Sequence, residues 1–108
     1  MDEIDKRYEI SIAPAVNDRM YSHFEFLARV SESAAERLLE SLAADMHSLE
    51  SMPYRNPVFN RPYLKNGKYR YLVSCERYLI IYQIVKNVVY IDDIQDSRQA
   101  DDKSLLYT

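Results

Sequence analysis

The sequence predicts an α+β fold in the order β-α-α-β-β-β, a helical hairpin packed on a small, mostly antiparallel sheet. Three observations carry this: an early run with strand alternation, two long stretches with apolar residues every three or four positions, and three β-rich runs separated by short breaks.

The first strand is predicted over residues 7–13, where Tyr8, Ile10 and Ile12 alternate with Glu9 and Ser11. Pro14 suits the first turn of a helix because its missing N–H has no partner there anyway, and Val16, Met20, Phe24 and Leu27 then mark one face over residues 14–30. Ser33 followed by Glu36 has the spacing of a capping box for a second helix, residues 33–52. Its stripe is Ala35, Leu38, Leu39, Leu42, Met46 and Leu49, and Pro53 stops it. Neither helix can bury its stripe alone, so the pair is expected to form an antiparallel hairpin on the sheet.

Residues 53–67 shift to prolines and asparagines with Tyr54, Phe59 and Tyr63 among them, the composition of an ordered loop. Its aromatics either pin the loop to the body or, beside Arg55 and Arg61, stack on bases. The β-rich runs span residues 68–74, 77–85 and 88–94, with the breaks Cys75-Glu76 and Lys86-Asn87 forcing a meander. Tyr78-Leu79-Ile80-Ile81-Tyr82 is nearly continuously apolar and reads as a central strand. The tail, residues 95–108, is polar, with a short helix expected over 101–107.

The 108 residues suit one domain, 1–108, with 47% hydrophobic and 29% charged residues, too apolar for a disordered chain. Residues 1–7 lack the apolar stretch of a signal peptide, and a single cysteine, Cys75, allows no internal disulfide, so a cytoplasmic setting is expected. No window approaches the roughly 18 or more consecutive apolar residues of a membrane span. One glycine rules out a Gly-rich phosphate loop, and His23, His47 and Cys75 lack metal-ligand spacing, so no cofactor and no metal are expected.

The formal charge of −3 is unevenly spread. Residues 53–90 carry Arg55, Arg61, Lys65, Lys68, Arg70, Arg77 and Lys86 against one acid, Glu76. Such a patch either binds phosphates locally, since more distant acids are screened, or is a set of ordinary solvated charges.

The element order, the helical stretch Ser33-Ala34-Ala35-Glu36-Arg37-Leu38-Leu39 and the segments Lys68-Tyr69-Arg70-Tyr71-Leu72-Val73 and Tyr78-Leu79-Ile80-Ile81-Tyr82-Gln83-Ile84 resemble the RelE/ParE superfamily of toxins from type II toxin–antitoxin, or plasmid-stabilisation, systems. The resemblance spans nearly the whole chain. It matches an arginine on the first meander strand to Arg70, a Tyr-x-x-x-Tyr strand to Tyr78 and Tyr82, and an arginine after the last strand to Arg98, here ending Gln95-Asp96-Ser97-Arg98.

The resemblance implies a toxin neutralised by a cognate antitoxin, as a homodimer or a heterotetramer with it, and a ribosome-dependent mRNA endoribonuclease. That reaction drives a 2′-hydroxyl onto the adjacent phosphate and needs cations on the developing phosphorane and a proton carrier. Arg70 and Arg98 are the expected cations, and Tyr107, which resembles the C-terminal tyrosine of some relatives, the expected proton carrier. No histidine is expected near this face, since His23 and His47 both fall on the predicted helices, and Tyr71 and Glu76 are weaker candidates. Arg61, Lys65, Lys68 and Arg77 are the expected nucleic-acid contacts. Two other readings stay open: a DNA gyrase poison without catalysis, and an inactive toxin fold that binds an antitoxin in transcriptional repression.

Overall fold

A computed structural model describes residues 6–98. The elements follow the expected order: β1 (Glu9–Ile12), α1 (Pro14–Ala28), α2 (Glu32–Ser48), a short 3-10 turn (Pro53–Arg55), β2 (Arg70–Ser74), β3 (Tyr78–Val85) and β4 (Val88–Asp96). The sheet order is β1-β4-β3-β2, with β1 parallel to β4 and the other pairs antiparallel. The predicted helix over 101–107 and Tyr107 lie outside the described residues.

Both helices stop earlier than predicted. After α1 the Leu27 carbonyl accepts from the N–H groups of Val30 and Ser31, which turns the chain two residues before the predicted end. The cap of α2 is Ser31 and not Ser33, because Ser31 has extended backbone angles and its Oγ accepts from the Ala34 N–H at 3.2 Å. Ser33 therefore falls within the first turn, and the predicted capping box does not form. Leu49 is fully buried just beyond the helix end, so the stripe outlives the helix. Met52 then takes a left-handed conformation (φ 51°) before Pro53, a conformation that costs a non-glycine residue roughly 1–2 kcal/mol.

Between the helices and the sheet lies the main core, where Leu38, Leu42, Met46 and Leu49 meet Ile80, Tyr82, Ile91 and Ile94. Ile91 and Ile94 would face opposite ways in a regular strand. A bulge between Ile81 and Tyr82 opposite β4 absorbs one residue, and this lets both point into the same core. A smaller cluster of Phe59, Tyr69 and Ile81 covers the other sheet face, with the loop folded over it. Burial on both faces is why β3 reads as nearly continuous apolar sequence. Tyr82 ties the loop down: its hydroxyl donates to the Pro53 carbonyl at 2.6 Å and accepts from Asn56 Nδ2 at 3.0 Å. Among the described residues, no helix is long and apolar enough to cross a membrane.

Candidate functional site: an arginine cavity at the meander turn

The turn between β2 and β3 holds three residues, one more than the predicted break, because Ser74 pairs with Tyr78 and Arg77 falls in the turn. Its Cys75 and Glu76 both have positive φ, 54° and 57°, without a glycine between them. Non-glycine residues are held there only where the surroundings over-determine them, a condition met often at functional sites. The turn presents Glu76 and Arg77 beside the end of β4, where Arg98 follows, and opposite the first turns of α2, which contribute Arg37. A cavity of about 460 Å³ opens between these pieces, walled by Arg37, Glu76, Arg77, Tyr78 and Arg98.

Asp96 organises this end of the molecule. One of its carboxylate oxygens, Oδ2, accepts from Arg77 Nε at 2.9 Å and Nη2 at 2.5 Å, and the other accepts the Arg98 backbone N–H at 3.0 Å. Asp96 is 3% exposed, and the Arg77 hydrogen bonds hold its pKa below the ordinary carboxylate value against the opposing effect of burial. The same bonds raise the pKa of Arg77. Burial raises that of Tyr78, whose hydroxyl stays protonated.

A pH dependence follows, with its sign fixed by the depressed pKa of Asp96. The folded-state stabilisation is present above the ordinary value of 3.8 and is lost as pH falls through the lower folded value. Asp96→Asn should cost about 1–2 kcal/mol at pH 7, the low end for a charged hydrogen bond because the Arg77 side chain is 32% exposed. The gap between parent and variant should narrow as pH drops below 3.8. Equal denaturation midpoints at pH 7 would contradict this.

Arg70 is at the other end of β2. It pairs with Tyr82, four residues along β3 from Tyr78, or roughly 13 Å at about 3.3 Å per residue. Its Nη1 donates to the carbonyls of Asn56 (2.6 Å) and Tyr54 (3.2 Å), and its guanidinium lies 5.3 Å from the centre of the Tyr54 ring. The structure thus brings Arg98 together with Arg77, and Arg70 with the loop.

The loop contacts take two forms. Phe59 and Tyr69 are buried and pin the loop, while Tyr54 and Tyr63 are about half exposed (51% and 47%). Arg61 stacks 4.1 Å over Phe59, Lys68 lies 5.2 Å over Tyr69, and Lys65 is exposed. A second cavity, about 520 Å³, lies on this face and contains Arg61, Tyr71 and Glu76. Glu76 borders both cavities.

Three residues of this end escaped sequence reasoning. Arg37 looked like one more charge on a helix, and Asp96 like part of a polar tail. His23 packs edge-on against Tyr78, ring centres 5.1 Å apart, so one histidine does approach this end of the sheet, contrary to its expected remoteness on a helix. The Ser97 N–H donating to the Arg77 carbonyl at 2.8 Å closes the end of β4 onto the turn, an interaction that no local pattern encodes. Among the described residues, no group of three or more His, Cys, Asp or Glu is placed to hold a metal ion.

Residues 10–101 match the family model described as ParE toxin of type II toxin-antitoxin system, parDE. No curated protein matches the chain.

Proposed function

From the premise that the chain belongs to the RelE/ParE toxin family of type II toxin–antitoxin systems, we propose that this toxin cleaves messenger RNA on the ribosome. The observation that carries the reading is the convergence of Arg37, Arg77 and Arg98 on one cavity with Glu76 at its rim. A toxin of this family has a cognate antitoxin as its partner.

In this reading the scissile phosphate sits among the three guanidiniums. Each can hold two phosphate oxygens and remains charged throughout. The Asp96 grip uses Arg77 Nε and Nη2 and fixes the guanidinium before substrate arrives, so little reorganisation is needed as charge develops. The 2′-oxygen loses its proton to Glu76 and bonds to phosphorus. The bond from phosphorus to the 5′-oxygen breaks, and that oxygen takes a proton, leaving a 2′,3′-cyclic phosphate. Tyr107, matched to the family's C-terminal tyrosine, is the donor we assign to the leaving oxygen. Arg61, Lys65 and Lys68 bind the RNA backbone along the loop, and Arg70 acts by holding that loop in place.

A gyrase-poison reading is favoured by one feature, the match to the ParE toxin model, since relatives of the ParE kind poison DNA gyrase by binding. The test uses the purified toxin with ribosomes programmed with a defined mRNA, alongside gyrase and supercoiled DNA. The nuclease reading expects a cut in the A-site codon bearing a cyclic phosphate end. Intact mRNA with accumulated gyrase-linked DNA breaks would replace it with the binding reading.

A further inference from the structure

The geometry points to a nucleobase subsite on the loop side of the sheet, selecting a base with an exocyclic amine next to the phosphate held in the arginine cavity. The inference deepens the nuclease reading by naming which nucleotide the site takes.

The second cavity has the parts that single-stranded recognition needs. Cross-strand pairing puts Tyr71 and Val73 of β2 on the face opposite the helices, together with Leu79 of β3. They form an apolar floor. Val73 is 48% exposed and Tyr71 half-buried, so the floor is open to a planar ligand while Phe59, edge-on to Tyr71 at 6.0 Å, buttresses it from below. Bases stack on such platforms in a manner tolerant of sequence.

Sequence preference then comes from the rim. The Asn60 side-chain amide offers a donor and an acceptor together, the pairing that suits the edge of adenine, with its oxygen accepting from the exocyclic amine. Uracil has no such amine. Arg61, held over Phe59, supplies a cation on the same wall.

Continuity with the arginine cavity is what assigns this groove to RNA. Glu76 borders both spaces, Ser97 lines one and Arg98 the other, so a strand with its phosphate among the arginines passes directly over the turn into the groove. The strained Cys75-Glu76 turn is the ridge between them.

The test measures binding of short oligoadenylate and oligouridylate to the intact toxin, with parent, Val73→Glu and Arg98→Gln proteins. Val73 is exposed enough that the substitution leaves the fold in place, which a melting curve checks. The parent should bind oligoadenylate more tightly. Val73→Glu should weaken it about 5- to 100-fold, the range expected for losing one base stack, and bring it close to oligouridylate. Arg98→Gln should weaken both oligonucleotides equally, since a phosphate contact carries no base information. Equal affinities in the parent, or an unchanged Val73→Glu protein, would overturn the subsite. So would a Val73→Glu protein that loses antitoxin and keeps RNA, which would make the groove a protein interface. A parent that prefers oligoadenylate yet never cuts mRNA would instead remove the nuclease reading and leave the subsite standing.

Discussion

Arg98→Ala is expected to slow mRNA cleavage about a hundred- to thousandfold, the usual consequence of removing one preorganised group that stabilises charge in a transition state. Its melting temperature should stay at the parental value. Arg98 is exposed, and its link to Asp96 runs through the backbone N–H, which the substitution leaves in place. Arg98→Lys should recover part of the rate, because an ammonium keeps the charge and loses the bidentate fork. Arg77→Ala makes the instructive contrast. It should lose activity and stability together, since it strips Asp96, 3% exposed, of its ion-pair partner. A folded Arg98→Ala protein that cleaves at the parental rate would remove the arginine cavity from the mechanism.

Leu42→Ala should cost about 2–5 kcal/mol, the range for deleting most of a fully buried leucine and leaving a cavity behind. Leu42 is 0% exposed, in the centre of the α2 stripe, and belongs to the cluster that includes Ile80, Tyr82 and Ile91. The loss would lower the melting temperature by about 10 °C or more for a chain of this size. Urea denaturation with an unchanged slope and a lower midpoint would locate the effect in the folded core. An unchanged midpoint would mean that this face does not support the sheet.

Much of this architecture was legible because it rests on periodicity. Tyr8, Ile10 and Ile12 marked β1, the 3.6-residue stripes marked both helices, and the apolar run of β3 marked a central strand. The misplaced boundaries have a common cause: a helix ends where backbone groups find other partners, and Leu27 and Glu50 find theirs in the turn after α1 and in Tyr8. Ser31 and Ser33 are equally good caps by composition, and only the path of the loop chose between them.

The site was less legible. Arg77 and Arg98 are 21 positions apart, and their meeting depends on Asp96, whose significance appears only when β3 and β4 are in register. Arg70 and Arg98 matched the family's positions equally well, and the register sends them to opposite ends of β2. Arg37 comes from a helix whose packing, not its sequence, aims it at the turn. The basic stretch of residues 53–90 turned out to be divided: Arg55, Arg61, Lys65, Lys68 and Arg70 lie on or beside the loop, Arg77 at the arginine cavity, and Lys86 in the β3–β4 turn.

The central claim, that the cavity of Arg37, Arg77 and Arg98 grips RNA phosphate, is tested most directly by the salt dependence of single-stranded RNA binding. With each arginine–phosphate pairing removed, the slope of log affinity against log salt should become shallower by about 0.7. Parent, Arg98→Gln and the double variant Arg37→Gln/Arg98→Gln should therefore give three successively flatter lines. Three parallel lines would contradict the account.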